Sequence, residues 1–165
     1  MKFLKLVSVA ATAAVIMTAG ATQTFAASAL QDILNGGVLK VGTTGDWNPM
    51  TMKNPATNSY TGYDIDVMTA LAKDLGVKVE FVPTDWKTLV NGIVAGKYHL
   101  TGSASISPAR MKAAGYSDSY ISIEILPFTT SDKEDRFNDW SSINAADVKV
   151  ATTLGTTFEA KVRNW

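Results

Sequence analysis

GYDIDVMTALAKDLGVKVEFV, from Gly62 to Val82, carries two hydrophobic periods in succession. Ile65, Met68, Leu71, Ala72 and Leu75 recur at three- and four-residue intervals, which predicts a helix over Gly62–Leu75 ended by Gly76. Val77 to Val82 then alternates Val, Val and Phe with Lys and Glu before turning apolar, the mark of a strand. The alternation of element types continues in both directions. Upstream, Ala29–Asn35 puts Leu30, Ile33 and Leu34 on one side of a short helix stopped by Gly36-Gly37, and Val38–Val41 is a short apolar strand. Downstream, Trp86, Leu89, Val90, Ile93 and Val94 form a second amphipathic helix closed by Gly96, and Tyr98–Leu100 is strand-like. Strand, helix, strand, helix, strand predicts an α/β fold with a parallel sheet and flanking helices.

Ligands of such sheets sit beyond the carboxyl ends of the strands, where the loops Gly42–Pro49 and Gly102–Arg110 fall. The first loop holds two glycines and ends at Pro49; Lys53–Thr61 beyond it reads as an exposed hairpin or turn. The second lies within Thr101–Tyr120, where Thr101, Ser103, Ser105 and Ser107 crowd hydroxyls that can donate to an anion. Ser107 suits an N-cap and Pro108 a first helical turn. Arg110 offers the planar fork that grips a carboxylate with two bonds. The plain alternative is a polar loop capped by Ser107 with Arg110 in solvent.

Ile121–Thr130 is a longer apolar run that reads as a connector, and the polar stretch from Ser131 begins a second unit. Val148–Thr153 is expected as a strand, and Gly155-Thr156-Thr157 opens a helix carrying Phe158 and Val162. One strand and one helix cannot bury both apolar faces, so the second unit is expected to be incomplete and the chain an N-terminal fragment.

The N-terminus is set apart. Lys2 and Lys5 precede an uncharged run from Leu6 to about Ala21, then Thr24-Phe25-Ala26, the plan of a secretory signal over residues 1–26. A membrane anchor is the alternative, but the run is short and rich in Ala, Thr and Gly. Without Lys2 and Lys5, 13 basic residues face 15 acidic ones, a net charge of −2. No basic run exists, which argues against nucleic acid as a partner. Cysteine is absent, so disulfides and thiolate metal sites are excluded, and an exported chain of this kind suits the bacterial periplasm. His99 is the one histidine, which excludes a multi-histidine metal centre; no metal or cofactor is expected.

Five motifs in order carry a resemblance: Gly36-Gly-Val-Leu-Lys-Val-Gly-Thr43, Gly62-Tyr-Asp-Ile-Asp-Val67, Ser105-Ile-Ser-Pro-Ala-Arg110, Tyr116-Ser-Asp-Ser-Tyr120 and Leu154-Gly-Thr-Thr157. Together they resemble the family 3 periplasmic solute-binding proteins, which serve ABC importers of amino acids and related compounds. The resemblance implies two α/β lobes that close over a solute, with lobe 1 over residues 27–125 and a crossover plus incomplete lobe 2 over residues 126–165. It implies that Ser105 and Arg110 hold the ligand carboxylate, that Trp47 covers the ligand, and that Asp46 stands at the pocket mouth. It further implies that Thr156 and Thr157 face the ligand from the second lobe, and that the partner is a membrane permease. Two departures stand out. His99 occupies a position where the family commonly has Asp, and reads as a hydrogen-bonded structural histidine. The family's acidic partner for the ligand ammonium has no counterpart in this chain. A rival from another class also enters: Gly42-Thr-Thr-Gly-Asp46-Trp47-Asn-Pro49 with Pro83-Thr-Asp-Trp86 resembles the periplasmic cyclohexadienyl dehydratases, which act on prephenate or arogenate. Their acid belongs to a region beyond Trp165, so on that reading this chain is expected to be inactive.

Overall fold

A computed structural model describes residues 29–164. The signal expected over residues 1–26 lies outside them. Helix α1 (Ala29–Gly36) leads into strand β1 (Val38–Thr43), followed by three short strands, β2 (Asp46–Trp47), β3 (Thr51–Lys53) and β4 (Tyr60–Thr61). Helix α2 (Tyr63–Asp74), β5 (Lys78–Pro83), α3 (Leu89–Val94) and β6 (Leu100–Thr101) complete the strand–helix alternation. β1 is central. It pairs in parallel with β5 from Val38–Lys78 to Thr43–Pro83, and with β6 through Val41–Leu100 and Gly42–Thr101. The parallel α/β expectation therefore holds.

Side chains of a strand alternate between faces, and β1 shows what each face meets. Leu39 and Val41 pack with Ile33 of α1 and with Met68 and Ala72 of α2. Gly42 points the other way, where a Cβ would lie 2.5 Å from the Tyr98 ring. Tyr98 is 2% exposed and donates its hydroxyl to Leu89 O at 2.6 Å, joining α3 to that side of the sheet. The sequence places Gly42 at the start of a loop; in the structure it is a strand residue whose missing side chain makes room for an aromatic ring.

The stretch expected as loop and hairpin is a small antiparallel sheet, β2–β3–β4. It anchors the start of α2. Pro49 O accepts from Tyr63 N at 3.1 Å and Met50 O from Asp64 N at 2.9 Å, so loop carbonyls satisfy helix donors that would otherwise be orphaned. Gly62 makes the approach possible, with φ of 126° and a would-be Cβ 2.5 Å from Met50 O. His99 Nδ1 accepts from the Lys40 backbone at 3.0 Å, the structural use expected of it.

Beyond β6 come α4 (Pro108–Met111), a 3-10 helix (Ser131–Arg136), α5 (Trp140–Ile143) and α6 (Thr157–Arg163). Ser107 caps α4 as expected, accepting from Arg110 N at 3.3 Å. The strand expected over Val148–Thr153 is not formed. Composition favours extension there, but a strand needs a ladder partner, and none is paired with it among the described residues. Val150, Leu154, Leu126 and Phe128 are exposed, Phe128 almost completely at 99%.

Candidate functional site

The carboxyl ends of β1 and β6 open onto a recess lined by Thr43, Thr44, Thr51, Asp64, Trp86, Thr101 and Gly102. Thr43 and Thr51 share a buried hydroxyl–hydroxyl bond of 2.5 Å, and Thr101 Oγ1 donates to Gly42 O at 2.8 Å, tying β6 to β1. Thr44 Oγ1 is buried with no hydrogen-bond partner among the described residues. Thr101, one of the hydroxyls singled out from the sequence, lines this recess, whereas Asp46, Trp47, Ser103, Ser105, Arg110, Thr156 and Thr157 do not. They lie around it in three groups.

The first group is aromatic. Asp46 Oδ1 accepts from Trp86 Nε1 at 2.9 Å, and the Trp47 and Trp86 rings meet edge to face, 5.6 Å between centroids at 72°. Trp86 is presented by a turn in which Asp85 Oδ1 accepts from Thr88 N at 2.8 Å. That N–H holds the Asp85 carboxyl below the usual carboxylate range.

The second group centres on Ser103, whose φ is 46°. Its hydroxyl donates to Asp64 Oδ1 at 2.7 Å, and its N–H donates to the Tyr120 hydroxyl at 2.6 Å. Tyr120 in turn donates to Asp64 Oδ1 at 3.0 Å. Burial pushes the Asp64 carboxyl above its ordinary range against the lowering effect of those two hydroxyls. Burial likewise raises Tyr120.

The third group surrounds Arg110. Its guanidinium donates to Ser105 O at 3.1 Å and to Gly155 O at 3.2 Å. Ser105 O also receives the Tyr116 hydroxyl at 3.3 Å. Arg110 is thus half-buried and engaged rather than solvated, with guanidinium donors beyond these two bonds. The loop that holds Gly155 is built by Thr156, the N-cap of α6, which accepts from Glu159 N at 3.3 Å and donates to Thr153 O at 2.7 Å. Thr157 begins α6, half-buried. Glu159 Oε2 accepts from Gly155 N at 2.7 Å, and this bond first, then Arg163, holds its carboxyl below the usual range. Gly155 also lies against the Trp86–Lys87 backbone, where a Cβ would come within 2.6 Å of Lys87 Cα. One loop therefore touches both the Arg110 group and the turn that presents Trp86.

Sequence reading passed over Asp64, Tyr116, Tyr120 and Gly155 as site residues. Asp64 left a signal. It stands four residues before Met68, on the face of α2 that also carries Ile65, where an acidic residue needs a polar partner to be buried.

Residues 39–163 match the bacterial extracellular solute-binding proteins, family 3. The chain is 32% identical over 156 residues to cyclohexadienyl dehydratase of Pseudomonas aeruginosa, a match covering 94% of this chain and 58% of that protein. It is 32% identical over 117 residues to the L-cystine-binding protein TcyA of Bacillus subtilis, covering 71% of this chain and 41% of that one. Among solved structures it is similar to the ancestral amino acid-binding protein AncCDT-1, a precursor of cyclohexadienyl dehydratase. The TM-score is 0.78 at 40% identity, covering 83% of this chain and 60% of the other. The chain thus spans about half of the curated relatives' length, 58% of one and 41% of the other.

Proposed function

Because this chain belongs to the bacterial extracellular solute-binding proteins, family 3, we propose that it captures a small carboxylate-bearing solute, an amino acid, for an ABC importer. It is a periplasmic protein of the amino-acid and solute-binding class. On this reading residues 27–125 belong to the first lobe, and residues 126–165 to the crossover and part of the second. Capture is non-covalent. Arg110 and Ser105 meet the carboxylate, Trp47 covers the apolar part with Asp46 at the mouth, and Thr156 and Thr157 approach from the other side. Closure is what the permease reads.

The observation that carries this reading is the setting of Arg110, half-buried between the Ser105 carbonyl and the Gly155 carbonyl. A guanidinium held by one loop from each proposed lobe is placed to exchange a carbonyl for an incoming carboxylate, a stronger charge-assisted acceptor. The names of two relatives, an L-cystine-binding protein and an ancestral amino acid-binding protein, support an amino acid as the solute.

The test is a thermal-shift screen against amino acids, small organic acids, prephenate and arogenate. A solute that binds only the folded chain stabilises it by about 2.7 kcal/mol at a concentration of 100 Kd. A raised melting temperature with amino acids is expected; a cooperative melt that no member moves would overturn the reading. A second reading, a cyclohexadienyl dehydratase-like protein, is favoured by the match to the Pseudomonas aeruginosa enzyme over 94% of this chain. A shift confined to prephenate or arogenate would select it, with no consumption of either expected from this chain.

A further inference from the structure

Asp64 is a buried carboxylate that the capture mechanism leaves without a task. It stands in the first turn of α2 and is 5% exposed. The chain leaving β6 passes directly over it: a Cβ on Gly102 would lie 2.8 Å from Asp64 Cγ. The next residue, Ser103, takes a left-handed backbone conformation that is unfavourable for any residue with a Cβ. Such a conformation persists only where surrounding bonds hold it. Here the Ser103 hydroxyl is held at 2.7 Å by Asp64 Oδ1, and its N–H at 2.6 Å by the Tyr120 hydroxyl. Asp64 in turn fixes that hydroxyl by accepting its proton at 3.0 Å, while the Tyr120 ring stacks on Tyr63 at 6.3 Å. Two residues further along, Ser105 O receives Arg110.

We propose that Asp64 is the positioning residue of the loop Ser103–Arg110: by accepting both the Ser103 and Tyr120 hydroxyls it sets the backbone turn that brings the Ser105 carbonyl to Arg110. The role in binding rests on the reading of Arg110 as the carboxylate grip; the role in shaping the loop does not. A plain structural role would lower stability without selecting this loop. The positioning role predicts a local loss that an isosteric acceptor restores.

The experiment follows backbone amide exchange at Ser103 by NMR, together with calorimetric titrations of L-arginine and L-cystine, on the full chain. Tyr120→Phe removes the acceptor of the Ser103 N–H, and exchange there should accelerate by about tenfold or more. Asp64→Ala should do the same, and Asp64→Asn, whose Oδ1 still accepts both hydroxyls, should stay near wild type. If Asp64→Ala does not fold, Tyr120→Phe decides alone, since Tyr120 is 42% exposed and its truncation leaves the core intact. Any probe that binds wild type should bind Tyr120→Phe more weakly by a factor of about ten and Asp64→Asn nearly normally. Unchanged Ser103 exchange in Tyr120→Phe would overturn the proposal, and faster exchange with undiminished binding would overturn its positioning role. If wild type binds neither probe nor any member of the thermal-shift panel, the capture reading fails, and the exchange data alone decide whether Asp64 shapes the loop.

Discussion

Gly92→Ala sets helix propensity against packing, and the two predict opposite signs. Gly92 lies inside α3, where exchanging Gly for Ala would stabilise a solvent-exposed helix by about 1 kcal/mol. In this fold the new Cβ would stand 2.1 Å from the Tyr98 hydroxyl and 2.2 Å from its Cζ. The ring cannot yield in the opposite direction, because Gly42 closes it in on the β1 side and Tyr98 is 2% exposed. Overpacking of a tight core costs about 1–3 kcal/mol. Displacing the hydroxyl also breaks its 2.6 Å bond to Leu89 O, and an unsatisfied buried acceptor costs about 1–3 kcal/mol more. Less the propensity gain, Gly92→Ala should destabilise by about 1–5 kcal/mol. Urea unfolding followed by far-UV circular dichroism measures it, and a cooperative transition licenses the comparison. Gly36→Ala is the control, since a Cβ at that end of α1 meets nothing within 4 Å; it should be neutral or stabilise by up to about 1 kcal/mol. A Gly92→Ala protein as stable as wild type, or more so, would refute the packing of Tyr98 between β1 and α3.

Arg110→Ala should weaken amino-acid binding by about 2–5 kcal/mol in titration calorimetry, with Arg110→Lys recovering only part because the charge returns without the fork. Unchanged affinity in Arg110→Ala would remove this residue from the site. Asp64 predicts a pH effect of definite sign: its folded carboxyl keeps a proton to higher pH than the unfolded chain, whose ordinary value is 3.8. Stability from this group is therefore present below that value and falls as pH rises through the raised folded value, and Asp64→Asn should abolish the decline in paired urea titrations. Glu159 has the opposite sign. Its depressed carboxyl supports the Gly155 turn above the ordinary glutamate range, and protection of the Gly155 amide against exchange should be lost as pH falls through the folded value. Glu159→Gln should flatten that dependence.

The alternation of α1, β1, α2, β5, α3 and β6 was legible because each carries its own period and each of these helices its own glycine stop, whereas the short strands β2, β3 and β4 were not. Apolar residues three and four apart make a helix, alternate ones make a strand, and both signals survive without knowledge of the neighbours. The Ser107 cap was legible for the same reason, since a cap is satisfied within three residues of itself. The Val148–Thr153 segment marks where such reasoning ends: β-branched composition permits extension, but pairing is supplied by another strand or not at all.

The site divides in the same way. Arg110, Ser105, Trp47 and the Thr156 loop are recognisable as chemistry and as motif, yet nothing local says that Gly155 O lies 3.2 Å from the Arg110 guanidinium, 45 residues away. Asp64 and Tyr120 are 56 residues apart, and their bond exists only because α2 and the segment after α4 converge on Ser103. By itself the sequence determined the α/β class, the helix and strand alternation of the parallel sheet, the Ser107 cap and the family, all properties of short-range periodicity or ordered motifs. Tertiary structure alone decided that Gly42 is a seat for Tyr98, that Asp64 is buried against Ser103, and that a single loop reaches both Arg110 and the Trp86 turn. Those are distances between segments remote in the chain, and a distance of that kind is set by packing, which no local pattern encodes.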